Sequence, residues 1–144
     1  MAKSFKFELQ DVLDFRNFEK DQAQNELAKA LAVETQINNN LQIIASQFIA
    51  VKNQIDSTSS FEDIAAGNAR KKFLEYQKEE LLKQLAEARL VSEEKRAILA
   101  EAMKKTTALE KLKEKEEAAY KEKLDKEDND FIDDLANSGK HFHQ

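Results

Sequence analysis

The feature that most constrains this sequence is a line of apolar residues, spaced alternately three and four apart, in a chain without proline. The line begins at Leu9 and Leu13 and is densest from Ile37 through Leu41 to Ile55. Proline is absent and there are only two glycines among 144 residues, so little in the chain interrupts a helix. Apolar residues at the a and d positions of a seven-residue repeat predict a seam, the line of contact between two coiled helices. We therefore predict an all-α fold of long helices.

A polar stretch divides the helical sequence and predicts a reversal of the chain. Ser, Thr and Asp crowd residues 56–68, and their side chains favour turns because they bond to nearby backbone. Ser60 with Asp63 resembles a helix-capping box, and Gly67 with Asn68 is interpreted as a second break, so a short helical turn is expected between them, from Phe61 to Ala66. The predicted architecture is a long two-helix antiparallel coiled-coil hairpin, one elongated unit over residues 1–144. Its parts are helix 1 at about 5–55, a turn at 56–68, helix 2 at about 69–136 and a flexible tail at 137–144.

The predicted seam contains polar residues and ends before the second helix does. Polar or charged side chains at seam positions are Arg16, Lys20 and Glu34 in the first helix and Lys78, Ser92, Lys95 and Thr106 in the second. A turn centred near Glu62 places Leu9 opposite Lys115. We therefore predict that the second helix overhangs the first beyond Lys115.

Several large apolar side chains fall at positions that face away from the seam. Phe15 and Phe18 occupy the c and f positions of the first helix, and Phe73, Tyr76 and Leu90 occupy equivalent positions in the second. One interpretation is a drifting frame, or shielding by the stems of Lys and Glu. The other is two docking patches, one near the chain termini and one near the turn, because exposed apolar clusters mark binding surfaces.

A third apolar cluster lies within the acidic run near the end of the second helix. Phe131, Ile132 and Leu135 are surrounded there by carboxylates. The cluster either folds back onto Phe5 and Phe7 or contacts a partner, and the sequence leaves both alternatives open.

Composition and motifs argue against several functional classes. A net charge of −5 disfavours nucleic-acid binding, which needs a basic face to meet phosphates. No apolar run approaches the ~20 residues of a membrane span, there is no signal peptide and Cys is absent, so we expect a soluble cytoplasmic chain. The stretch "AAGNARKK" lacks the spacing of a phosphate-binding loop. His141 and His143 could meet a metal, but a flexible tail is the preferred interpretation. We expect no catalysis, cofactor or metal.

The two ends of the chain resemble one known family. The opening "FKFELQDVLDFRNFEKDQAQNELAKA" is similar to the start of flagellar export proteins of the FliJ family. The run Leu109–Glu114, with the Tyr-containing charged stretch that follows it and ends at Asp134–Ala136, resembles that family's second helix. The resemblance spans almost the whole chain. It departs at Asp133–Asp134, where the family often has an Asp-Glu pair.

The resemblance implies a stalk of the flagellar type III export apparatus, similar to the central stalk of rotary ATP synthases. The implied partners are the hexameric export ATPase FliI, the cytoplasmic domain of the export-gate protein FlhA and export chaperones, at the cytoplasmic face of the inner membrane. From the heptad frame we assign two sets of residues to these partners. The ATPase-ring set is Leu9, Leu13, Phe15, Arg16, Phe18, Leu124, Phe131 and Leu135. The gate set is Phe73, Tyr76 and Leu90.

Three alternatives compete with this hypothesis. A virulence-type injectisome has an equivalent stalk with the same mechanism. A rotary synthase gamma or D subunit fits less well, because the gamma subunit carries a globular domain that residues 56–68 could not hold. A generic coiled-coil scaffold would have an apolar seam continuing past Leu109, whereas the seam here fades.

Overall fold

A computed structural model describes residues 4–142 and confirms the all-α hairpin. Within these residues, helix α1 spans Gln10–Ser57, helix α2 spans Phe61–Phe142, and no strand is present. The two helices pack against each other. Residues 21–100 form one compact unit, and the described residues of 1–20 and 101–144 form another.

The unit of residues 21–100 is held by the seam that the heptad pattern predicts. Its apolar core is Ile37, Leu85 and Ala88, with Leu41 and Leu81 packed against them. Each fully buried side chain of this size contributes about 1.5–3 kcal/mol to stability. Burial of the seam face therefore stabilises both helices, which could not cover that face alone.

A polar layer interrupts this apolar core. The Ser92 hydroxyl is almost completely buried and lies 2.9 Å from Glu34 Oε1, to which it donates. The carbonyl oxygen of Arg89, at 3.0 Å, is a second acceptor for the same hydrogen. A bond to a charged acceptor is stronger than a neutral one, so two side chains that interrupt the apolar pattern satisfy each other across the hairpin.

The chain reverses over Thr58–Ser60, a much shorter turn than residues 56–68. Ser60 Oγ accepts a hydrogen bond from the backbone N–H of Asp63 at 3.4 Å, the capping contact expected from the sequence. The carboxylate of Asp63 does not complete the reciprocal box. It accepts instead from the Thr58 hydroxyl at 3.2 Å, and Thr58 Oγ1 accepts from the N–H of Ser60. The Ser60 hydroxyl thus caps the N–H of Asp63 in the first turn of α2, which begins at Phe61 and not near 69.

Gly67 lies inside α2, so the interpretation of this glycine as a helix break was wrong. A Cβ atom at Gly67 would lie 2.6 Å from Ile55 Cγ1 and 2.8 Å from Ile55 Cδ1. Those distances are shorter than van der Waals contact. The glycine therefore permits the two helices to approach closely beside the turn, at the expense of helix propensity.

Gly67→Ala should lower the free energy of unfolding by about 1 kcal/mol. Overpacking against Ile55 costs ~1–3 kcal/mol, and the gain in helix propensity returns about 1 kcal/mol. Gly139→Ala is the matched control, because nothing lies within 4 Å of the added methyl group. Chemical denaturation followed by circular dichroism measures both. A Gly67→Ala protein as stable as the Gly139→Ala protein would show that the close approach is not needed.

The second unit contains the start of α1 and the C-terminal half of α2. Leu13 and Thr106 are buried there, and Lys113 Nζ donates to Gln10 Oε1 at 2.8 Å. This pairing is close to the predicted register of Leu9 with Lys115. Helix α1 begins at Gln10 and not at residue 5, because Phe7 is buried in a non-helical conformation and its carbonyl oxygen accepts from the N–H of Gln10 at 3.0 Å.

Helix α2 continues through Phe142, beyond its predicted end near 136. Gly139 lies within it, and no non-Gly residue among those described has a left-handed backbone conformation that would stop a helix. Part of the tail predicted to be flexible is therefore helical. His143 lies outside the described residues, so the possible metal pair with His141 remains untested.

Candidate partner-binding surfaces

Near the start of α1, Phe15 and Phe18 project into solvent, as the heptad frame predicts. Each is more than half exposed. Between them, Arg16 is half-buried, and its guanidinium donates to Glu19 Oε1 at 2.8 Å. The same guanidinium lies 5.9 Å from the centre of the Phe15 ring, a distance suited to a cation–π contact. The two phenylalanines and the cation form one patch on a single helix.

Two further residues of the predicted ATPase-ring set lie in different environments. Leu9 is partly exposed and directly precedes α1. Leu13 is only 4 % exposed and belongs to the seam. Its side chain is therefore already covered within the protein and is not available to a partner.

The C-terminal part of α2 carries a line of residues on one helix face that is charged at its start, apolar from Tyr120 onward, and extends past its intramolecular cover. Half-buried residues recur at Lys113, Glu117, Tyr120 and Leu124, with the three-and-four spacing of the seam. Phe131 and Leu135 follow seven and eleven residues after Leu124 and so continue the same face. We call these six residues the α2 stripe.

The α2 stripe is covered at its N-terminal end, around Tyr120, and exposed at its C-terminal end, after Leu124. Phe5 lies against Tyr120, with ring centres 5.7 Å apart, so cover extends past Lys115, the predicted start of the overhang. Every residue from 125 to 139, here named the C-terminal tip, is exposed. Phe131 is 64 % exposed, and Ile132 and Leu135 are similarly open. The fold-back of this cluster onto Phe5 and Phe7 is therefore wrong.

The C-terminal tip is strongly acidic. It contains no Arg, and its single Lys is Lys126, near the start. Its carboxylates are Asp125, Glu127, Asp128, Asp130, Asp133 and Asp134. Because Phe131 and Leu135 are surrounded by carboxylates, this part of α2 is complementary to a partner surface that has apolar pockets bordered by basic residues. It fits poorly against an identical copy, since like charges would be juxtaposed.

The predicted gate set divides into two parts. Phe73 and Tyr76 are both exposed and lie three residues apart on α2, which places them on one face. Leu90 is also exposed, but it lies fourteen residues beyond Tyr76, about 21 Å along the helix at ~1.5 Å per residue. The structure therefore forms a patch from Phe73 and Tyr76 and leaves Leu90 separate from it.

A groove beside Tyr76 adds residues that the sequence analysis missed. Tyr76 and Gln77 from α2 line it together with Ile43 and Ile44 from α1. Ile43 is 54 % exposed and occupies a c position, as Phe15 does. The heptad frame that marks Phe15 as off-seam marks Ile43 as well, so the signal for this residue is present in the sequence. Phe61, at the first position of α2, is exposed as well.

Among residues 4–142, no group of three or more His, Asp or Glu side chains is arranged to hold a metal ion. In the same part of the chain, neither helix has an apolar window long enough to cross a bilayer.

The fold and these surfaces define a class of protein: an antiparallel coiled-coil hairpin with exposed apolar clusters on its helices. The family model described as Flagellar FliJ protein matches residues 5–140. The chain therefore belongs to the flagellar FliJ family, whose role is in flagellar export. Comparisons with curated proteins and with solved structures give no significant match. Family membership confirms the resemblance and favours the flagellar machine over an injectisome.

Proposed function

We propose that this chain is a non-catalytic stalk of the flagellar type III export apparatus. In this role its C-terminal tip enters the ring of the export ATPase FliI, at the cytoplasmic face of the inner membrane. The main supporting observation is the α2 stripe, which passes from the half-buried Leu124 to the exposed Phe131 and Leu135. One end of this helix face packs against its own chain and the other end is exposed. The exposed end is suited to binding a partner that buries it.

The start of α1 contributes a second contact with the same ring. Phe15 and Phe18 are exposed in the unit that also contains the C-terminal tip, and Arg16 lies between them. Aromatic and Arg side chains are the commonest dominant residues of protein interfaces. We assign Leu9 to the edge of this contact and Leu13 to its support.

The stalk would act on the ATPase by differential affinity. If it binds one arrangement of the ring subunits more tightly than others, it shifts the ring toward that arrangement. Assembly of the hexamer and turnover of nucleotide then rise together, and the stalk itself needs no reactive group. The magnitude of such coupling is typically about 1–3 kcal/mol.

The unit of residues 21–100 carries the surface that we assign to the export gate. Phe73 and Tyr76, with the groove lined by Ile43, form an exposed apolar patch in the unit of residues 21–100. We assign this patch to the cytoplasmic domain of FlhA, with Leu90 as a separate contact. Export chaperones are further candidate partners, for which we assign no residues.

The central test mixes the purified chain with the export ATPase of the same organism and measures hydrolysis and hexamer formation. The full chain should raise both. A chain truncated after Lys126 should raise neither, because it lacks Phe131 and Leu135. This truncation keeps Tyr120 and Leu124, so the packed part of the stripe is retained. Phe15→Ala with Phe18→Ala should give an intermediate effect.

Two outcomes would count against the proposal in different ways. If the full chain changes neither hydrolysis nor assembly at saturating concentration, the ATPase is not its partner. If the truncated chain stimulates as well as the full one, the ring contact lies elsewhere. Circular dichroism of each variant ensures that lost stimulation is not lost folding.

A further inference from the structure

The residues that precede α1 form a short non-helical segment that lies on α2. We name residues 4–9 the N-terminal segment. Apolar and charged side chains alternate in Phe5, Lys6, Phe7 and Glu8, and burial alternates with them: both phenylalanines are covered, and Lys6 and Glu8 are exposed. Alternation of this kind is typical of an extended chain, in which every second side chain points to the same side. Both phenylalanines therefore face the rest of the protein.

Contacts on both sides of Phe7 locate this segment over the near end of the α2 stripe. The Phe5 ring lies 5.7 Å from the Tyr120 ring, with their planes tilted by 46°. At the other end, Gln10 Oε1 accepts a hydrogen bond from Lys113 Nζ at 2.8 Å. Phe7 lies between these contacts and is 7 % exposed. The segment therefore runs along α2 from Tyr120 to Lys113.

The N-terminal segment and a partner would use the same face of α2. Tyr120 and Leu124 belong to the stripe that continues, without cover, to Phe131 and Leu135. A partner that follows this face toward the hairpin turn meets Phe5 first and then Phe7. The segment is joined to α1 by the carbonyl oxygens of Phe7 and Leu9, which accept from the N–H groups of Gln10 and Leu13 at 3.0 and 2.9 Å. Phe5 and Lys6 are non-helical, so lifting the two phenylalanine side chains from α2 requires no unwinding of α1 beyond its first turn.

We propose that the N-terminal segment is a displaceable cover that competes with the export ATPase for the α2 stripe. The ATPase first engages Phe131 and Leu135, and it then extends its contact to Tyr120 by replacing Phe5 and Phe7. This inference rests on the function proposed above and adds its regulation. The free chain is mainly closed, and its apparent affinity is lower than that of an open chain.

The test combines an opened variant with a closed one. Phe5→Ala with Phe7→Ala opens the cover, and Lys6→Ala is the control because Lys6 is exposed in the same segment. The chain has no native Cys, so Phe5→Cys with Tyr120→Cys can be joined by a flexible bis-maleimide to close it. The same double variant with each thiol capped by N-ethylmaleimide is its control. Amide hydrogen exchange at residues 113–124 and the Kd for the export ATPase are measured for each.

We expect faster exchange at residues 113–124 in the opened variant and unchanged exchange in Lys6→Ala. If about nine-tenths of the free chain is closed, opening should lower the apparent Kd about tenfold, and the cross-link should raise it above that of the capped control. Unchanged exchange in the opened variant would disprove the cover. A Kd that is unchanged or higher on opening would disprove competition, although the proposed function would stand.

The two proposals can also be separated if the wild-type chain fails to bind. Binding by the opened variant alone would support the cover strongly. Absence of binding by every form, the opened variant included, would overturn the ATPase as partner and the competition with it.

Discussion

Leu85→Asp should strongly destabilise residues 21–100 and lower their Tm. Leu85 is 6 % exposed and lies in the core with Ile37 and Ala88. A carboxylate there loses its hydration without gaining a cation, so we expect a loss of at least about 4 kcal/mol. A domain is stabilised by only about 5–15 kcal/mol in total, so this is a large fraction. Far-ultraviolet circular dichroism during heating measures the helix content and Tm.

The control for this prediction is Leu90→Asp on the same helix. Leu90 is 68 % exposed, so the new carboxylate stays in water and Tm should change little. If Leu85→Asp and Leu90→Asp melted at the same temperature, Leu85 would not be in a packed core. The comparison also tests the heptad frame, which places one leucine in the seam and the other outside it.

Phe131→Ala with Leu135→Ala should weaken binding to the export ATPase about 100-fold or more while leaving the fold intact. Both side chains are exposed in the free chain, so their removal takes nothing from its core. If each inserts into an apolar seat on the partner, each contributes about 1.5–3 kcal/mol to binding. A combined loss of about 3 kcal/mol corresponds to roughly two powers of ten in Kd. Isothermal titration calorimetry of the wild-type chain and of the double variant with the ATPase measures this change in Kd.

A reciprocal variant makes this prediction specific. Phe73→Ala with Tyr76→Ala removes an exposed pair of similar size from the other compact unit. It should leave ATPase binding unchanged and weaken binding to the cytoplasmic domain of FlhA. If both double variants weakened both interactions equally, the two patches would not have separate partners.

The hairpin itself could be predicted because its main determinant is periodic. Ile37, Leu41 and Leu85 follow a seven-residue repeat, and a repeat fixes which residues share a face without knowledge of the partner helix. The register also followed from the position of the turn. The frame further identified Phe15, Phe18, Phe73 and Tyr76 as off-seam, and all are exposed.

The helix ends could not be predicted, because they depend on contacts between distant residues. Gly67 was taken for a break, although its role depends on Ile55, twelve residues earlier in sequence. The predicted start of helix 1 at about residue 5 includes Phe5, although this residue packs on Tyr120 in a non-helical segment. Leu90 and Tyr76 share a heptad position but lie far apart along α2. A heptad position gives the face of a helix on which a residue lies and not its distance from other residues along the axis.

The partner surfaces could be predicted only in part, since a sequence pattern gives exposure and not neighbours. Ile43 joins Tyr76 in one groove because the two helices bring them together, and neither residue signals the other in the sequence. Leu13 was assigned to a partner with its neighbours Phe15 and Arg16, but the seam already occupies its side chain.

The polar layer of Glu34 and Ser92 has a consequence for the uniqueness of the fold. A heptad repeat is nearly unchanged when one helix slides by seven residues, so apolar packing alone tolerates several alignments. Sliding α2 by one heptad would bring Leu85 or Leu99 opposite Glu34 and leave its carboxylate without the Ser92 hydroxyl. In a misaligned pairing of residues 21–100, the unsatisfied polar group costs more free energy than the hydrogen bond contributes to the native pairing. The hydrogen-bonded pair of Glu34 and Ser92 therefore selects one alignment of α2 along α1.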